Sequence, residues 1–127
     1  RVDAPMAEEA VAAGARIGVF ATLQSTLGPT TRLIERIASA KGLDREVRAV
    51  VCDDAFAALG RGETESHDRM IAERAARLAE EVDVLVLAQA SMARVVPGDL
   101  PVPVLSSPRS AVRALAAAVE RGVSGTA

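Results

Sequence analysis

Four short apolar runs, each followed by a stretch with helical periodicity, limit this chain more than any other feature. Asp83 to Ala88, Asp-Val-Leu-Val-Leu-Ala, is apolar without interruption over the length of a strand. A strand of that kind must be covered on both faces, as in the buried centre of a parallel sheet. Arg16 to Ala21 has the same character, Glu46 to Cys52 alternates before turning apolar at Val50 and Val51, and Val104 with Leu105 makes a last short run. Strands that alternate with helices imply right-handed parallel crossovers. The expected fold class is therefore α/β: a single doubly wound parallel sheet of about four strands with helices on both faces.

The intervening stretches supply the helices. Pro5 to Gly14 reads as a short helix preceded by an extended Arg1 to Ala4. Thr30 to Ala40 repeats Leu33, Ile34, Ile37 and Ala38 at helical spacing after Pro29 and ends at Gly42. Asp53 and Asp54 are expected to cap a short helix running to Leu59, before a loop marked by Gly60 and Gly62. Thr64 to Val82 carries one stripe of Met70, Ile71, Ala75, Leu78, Ala79 and Val82, and Pro97 to Pro103 is a loop. Ser106-Ser107-Pro108 opens a closing helix with Ala111, Val112, Leu115 and Val119 on one face, ended by Gly122. Residues 123–127 are expected to be a disordered tail.

Composition narrows the function classes. A chain of 127 residues supports one domain. Its core must come from Ala, Val, Leu and Ile, because Phe20 and Phe56 are the only aromatic residues. Fifteen basic and seventeen acidic residues are interspersed, for a formal net charge of −2, which is not the footprint of a nucleic-acid or membrane-surface binder. No window approaches the roughly 18 apolar residues of a membrane span. A single cysteine, Cys52, excludes an internal disulfide and fits a reduced, cytoplasmic setting.

The chemistry gathers at strand ends. After Ala21 the chain turns to Thr22, Gln24, Ser25 and Thr26; after Ala88 to Gln89 and Ser91; after Leu105 to Ser106, Ser107 and Arg109. A parallel sheet sets all three segments at one edge, where ligands of doubly wound folds bind. Hydroxyls and helix-start amides there suit a small carboxylate or phosphate, although hydroxyls before a helix also serve as plain caps.

The phrases Gly-Val-Phe-Ala-Thr-Leu-Gln-Ser-Thr-Leu (18–27), Val-Asp-Val-Leu-Val-Leu-Ala-Gln-Ala-Ser-Met-Ala (82–93) and Pro-Val-Leu-Ser-Ser-Pro-Arg (103–109) together resemble the C-terminal half of the aspartate/glutamate/hydantoin racemase superfamily. The resemblance implies one of two facing flavodoxin-like lobes, with strand order 2-1-3-4. It implies a substrate carboxylate held between the lobes by hydroxyls and backbone amides, and cofactor-independent racemisation by two cysteines, one per lobe. Thr22, Ser25, Thr26, Gln89, Ser91 and Arg109 are the binding residues it points to, with no cofactor and no metal. Many members carry Gly-Cys-Thr where this chain reads Ala88-Gln89-Ala90, and a glutamine cannot act as a base. A one-cysteine decarboxylase or isomerase, or a non-catalytic anion-binding domain, then stands beside the racemase reading. The start at Arg1 points to the second half of a longer protein, and the expected partners are a missing N-terminal lobe or a second subunit. Self-association into a homo-oligomer is expected because an isolated lobe would leave its lobe-facing surface uncovered.

Other residues have blander readings. Cys52 at the end of the second strand is expected to be a small buried hydrophobe, and Met70 and Met92 are expected to fill the core. Asp53 and Asp54 do not follow the strands that carry a magnesium-binding acidic pair in receiver-like domains. His67, beside Asp68, is expected on the solvated side of its helix.

Overall fold

The computed structural model describes residues 3–106. Its sheet has four parallel strands, β1 (Arg16–Ala21), β2 (Glu46–Val51), β3 (Val84–Leu87) and β4 (Val104–Ser106), in the spatial order β2-β1-β3-β4. That is the doubly wound order expected from the sequence. The helices are α1 (Asp3–Ala13), α2 (Gln24–Ala40), α3 (Asp53–Gly60) and α4 (Thr64–Ala79), and a 3₁₀ turn spans Ala90–Arg94. The proposed closing helix from Pro108, Arg109 and the tail at 123–127 lie outside the described residues.

Strand pleating divides the core in two. Ile17, Val19, Ala21, Val84, Val86 and Leu105 pack beneath Met6, Val11, Leu27, Ile34 and Ala38 of α1 and α2. Phe20, Leu85 and Leu87 face the other way, against Cys52, Ala55, Ile71, Ala75, Leu78 and Met92. Burial on both faces explains the uninterrupted apolar runs of β1 and β3. β2 is one edge of the described sheet, so Ala49 stays exposed and Val47, Val50 and Val51 are only half-buried. Arg48 lies along this edge, paired with Glu46 at 2.7 Å and Glu81 at 2.9 Å. Charge on an edge strand discourages pairing with another chain.

Several boundaries differ from the sequence reading, for identifiable reasons. α1 already includes Asp3 and Ala4, so Pro5 sits inside the first turn, where its missing N–H has no intrahelical role. α2 begins six residues before Thr30 and carries Pro29 inside it. Burial of Leu27 and Thr30 on the stripe of Ile34 and Ala38 outweighs the proline penalty. It ends as expected at Gly42, whose φ of 68° lets Gly42 N–H reach Ser39 and Leu43 N–H reach Ala38. Asp53 and Asp54 do not cap α3: Cys52 holds the cap position without a side-chain bond, and the two acids lie in the first turn, where they favour the helix dipole. α4 stops at Ala79, leaving Val82 in the core from the following turn.

Candidate functional site

The early start of α2 shortens the β1–α2 connection to Thr22 and Leu23. Leu23 is extended (φ −128°, ψ 132°) and offers no side-chain cap to the first amides of α2. Gln89, directly after β3, is also extended (φ −122°, ψ 130°). Register pairs Phe20 with Leu87, which brings Thr22 level with Gln89 on the neighbouring strand. The Gln89 side-chain oxygen accepts three hydrogen bonds there: from Thr22 N–H at 2.5 Å, from the Thr22 hydroxyl at 2.9 Å and from Leu23 N–H at 3.2 Å. Thr22 is 4% exposed and Gln89 half-buried. Three donors from one turn thus converge on a single oxygen position.

The family model of the Asp/Glu/hydantoin racemases matches residues 2–115, almost the whole chain. The chain belongs to the Asp/Glu/hydantoin racemase family. A solved structure, allantoin racemase from Pseudomonas fluorescens, superposes with a TM-score of 0.53 at 21% identity, covering 98% of this chain and 54% of that one. This chain thus spans about half the length of that racemase, and at such identity the likeness is one of fold. No curated protein matches the sequence.

Of the racemase-like binding residues expected from the sequence, Thr22 and Gln89 are brought into direct contact, and through each other. Ser25 is exposed in the first turn of α2. Thr26 is half-buried beside it, with its amide bonded to the Leu23 carbonyl and its own carbonyl accepting the Thr30 hydroxyl. Ser91 is exposed on the 3₁₀ turn. No hydrogen bond ties Ser25, Thr26 or Ser91 to the Thr22–Gln89 cluster among the described residues. The backbone amide of Leu23 is a contributor that residue types could not reveal. Ser106, one of the strand-end residues noted in the sequence, ends β4 at 1% exposure with its hydroxyl unpartnered among the described residues.

Cys52 is fully buried at the start of α3, with its thiol 3.7 Å from Asp54 Oδ1. Burial pushes the thiol's pKa above its ordinary value, so it is a poor source of thiolate. Asp54 pairs with Arg74 of α4 at 3.1 Å. His67 is a correction: it is 9% exposed rather than solvated, because it lies one helical turn before Ile71 on the buried stripe, with Nδ1 2.8 Å from Asp68 Oδ1. Met92 is buried, and Met70 packs at the margin of the same cluster. Among the described residues no group of three or more His, Cys, Asp or Glu side chains is arranged to hold a metal. Nor is any helix among them long and apolar enough to cross a membrane.

Proposed function

We propose that this chain is the substrate-orienting lobe of a cofactor-independent racemase-like enzyme acting at the alpha carbon of a small carboxylate. The observation that carries the reading is the convergence of Thr22 N–H, Thr22 hydroxyl and Leu23 N–H on one oxygen position at the carboxyl edge of the sheet. An alpha proton beside a carboxylate is a very weak acid, and its removal builds negative charge on the carboxylate oxygens. Fixed donors at such an edge hold the ground-state carboxylate and stabilise that charge as it grows. Ser25, Thr26 and Ser91 follow β1 and β3 at the same edge and, in this reading, complete the recognition of the rest of the ligand together with Arg109, which lies outside the described residues.

The proton-transfer groups come from elsewhere in this reading. Gln89 orients but carries no exchangeable base, and the buried Cys52 thiol faces the core. A second lobe or a second subunit closing over the edge supplies the thiol. Because one thiol position is glutamine, a one-cysteine decarboxylation or isomerisation is supported on the same footing as racemisation. Titration of the full chain with aspartate, malonate and phosphate, followed through the amide resonances of Thr22 to Thr31 and Gln89 to Ser91, tests the binding reading. Shifts centred on Thr22 and Leu23 are expected with the dicarboxylates. Absence of any shift up to millimolar ligand sinks it.

A further inference from the structure

With Gln89 where a thiol would act, one face of the alpha carbon lacks a proton-transfer group. His67 is the one histidine of the chain and is 9% exposed. It shares the buried stripe of Ile71, Ala75 and Leu78, so its ring projects from α4 toward the sheet. A polar ring on such a stripe costs stability unless it is partnered. The partner is Asp68, whose Oδ1 lies 2.8 Å from Nδ1. A carboxylate only accepts, so the pair fixes the proton of the neutral ring on Nδ1 and leaves the lone pair on Nε2. Nε2 bonds to no described residue. Among those residues Ser106 Oγ is the one fully enclosed side-chain polar atom without a partner, so Nε2 keeps an opening to solvent.

The packing of α4 on β1 sets the height of that ring. α4 connects β2 to β3, and both strands are parallel to β1, so α4 runs opposite to them and its first turn lies at the carboxyl edge. A Cβ on Gly18 would meet the Leu78 side chain at 3.1 Å, which ties Leu78 to the height of Gly18. His67 lies eleven residues before Leu78, about 16 Å along the helix. Thr22 lies four residues beyond Gly18, about 13 Å along the strand. His67 is thus level with the end of β1, about 3 Å past Thr22. Phe20 and Leu87 pack in the same cluster as Ile71, so the pleat turns Thr22 and Gln89 to the α4 side of the sheet as well. Asp68 adds a second tie, with Oδ2 3.8 Å from Arg94 Nη1 on the 3₁₀ turn that begins directly after Gln89.

We propose that His67, held by Asp68, is an acid–base group that this chain itself contributes at the carboxyl edge. The proposal rests on the carboxylate reading and supplies the group for the second face of the alpha carbon. Nε2 takes the alpha proton: the C–H bond breaks, its electron pair spreads into the substrate carboxylate, and an N–H bond forms on the ring. The Asp68 carboxylate stabilises the imidazolium, and return of the proton to carbon restores the neutral ring. A thiol from a second lobe on the opposite face then completes a two-group racemase, which favours racemisation over the one-cysteine reactions.

Malonate is the probe, because its methylene hydrogens are alpha to carboxylates and their exchange in deuterated water is followed by proton NMR. One base suffices, since solvent deuterium replaces the ring proton before it returns. The full chain is expected to accelerate this exchange. His67→Gln keeps a donor for Asp68 and is expected to lose the acceleration by on the order of a hundredfold. His67→Asn serves in its place if the glutamine variant does not fold, and retained malonate shifts of the Thr22 and Leu23 amides identify a folded, binding variant. Asp68→Asn is expected to lose at least about tenfold, and a full rate in it overturns the role of Asp68. In the wild type, malonate is expected to move the Thr22 and Leu23 amides and the His67 ring signals with one midpoint, and a single histidine makes those signals unambiguous. If the amides move and the ring signals do not, or if wild type and His67→Gln exchange malonate at the same rate, the acid–base role is wrong and the carboxylate site stands. If malonate moves neither, the carboxylate reading falls and the acid–base role with it.

Discussion

Thr22 presents two donors, its amide and its hydroxyl, to one acceptor on the neighbouring strand end. Thr22→Val keeps the branched shape and removes only the hydroxyl, leaving Gln89 with two backbone donors. The expected loss is about 1 kcal/mol of stability, the usual net worth of a neutral hydrogen bond. Urea unfolding should show a lower midpoint at unchanged slope; an unmoved midpoint means that the hydroxyl bond contributes nothing. At this scale the site was partly legible. Thr22 and Gln89 stood out because small polar residues follow buried runs at positions that a parallel sheet must bring together. Their bond to each other was not legible, since it depends on the two-residue connection between β1 and α2, and the Leu23 contribution comes from backbone. His67 was misread although the signal was present, for it falls four residues before Ile71 and eight before Ala75 on the stripe that was recognised.

Among the elements, α2 departs furthest from its sequence signals. Pro29 reads as the opening of a helix, which is where proline is tolerated best. Instead it lies in the second turn, with no N–H for the Ser25 carbonyl, while Thr30 and Thr31 hydroxyls bond back to the Thr26 and Leu27 carbonyls. Leu27, Thr30, Ile34 and Ala38 continue one buried stripe across the proline, and burial outweighed local preference. Pro29→Ala restores the missing bond and removes the ring's clash. Against a helix-interior penalty of about 3 kcal/mol stands up to about 1 kcal/mol of lost rigidity in the unfolded chain, for a net gain of roughly 1–2 kcal/mol. A thermal midpoint that rises in Pro29→Ala bears this out, and one that falls shows that the helix is shaped around the proline. The strands were legible nearly to the residue, because double burial forces unbroken apolar runs. The exposure of β2 agrees with the expected order 2-1-3-4, which puts that strand at an edge.

The whole molecule is polarised along its strands. At the carboxyl edge, donors from β1 and its connection converge on the Gln89 side-chain oxygen; at the opposite edge, polar groups are locked together. There Asp83 Oδ2 accepts from the Ala15 and Arg16 amides at 3.1 and 2.9 Å, and Oδ1 pairs with the Arg16 guanidinium at 3.2 Å. Gly14 allows this approach, since a Cβ there would collide with the Asp83 side chain. The Arg16 amide first, and its guanidinium next, hold the Asp83 carboxyl below its ordinary value of 3.8. The ionised form is therefore the one that the fold prefers. A carboxyl whose folded value is lowered contributes stability that is fully present above its unfolded value and is lost as the pH falls through the folded one. Asp83→Asn keeps an acceptor for the two amides but removes the charge. At neutral pH it should unfold at a lower urea concentration than the wild type, and the gap should narrow as the pH drops below 3.8. Glu63, held down by Arg61, titrates in the same sense in both proteins and cancels in the comparison. A gap that stays constant from neutral pH to pH 3 would show that the fold draws on the shape of Asp83 and not on its charge. It would then leave the amino edge held by the same kind of neutral contact that closes the carboxyl edge at Gln89.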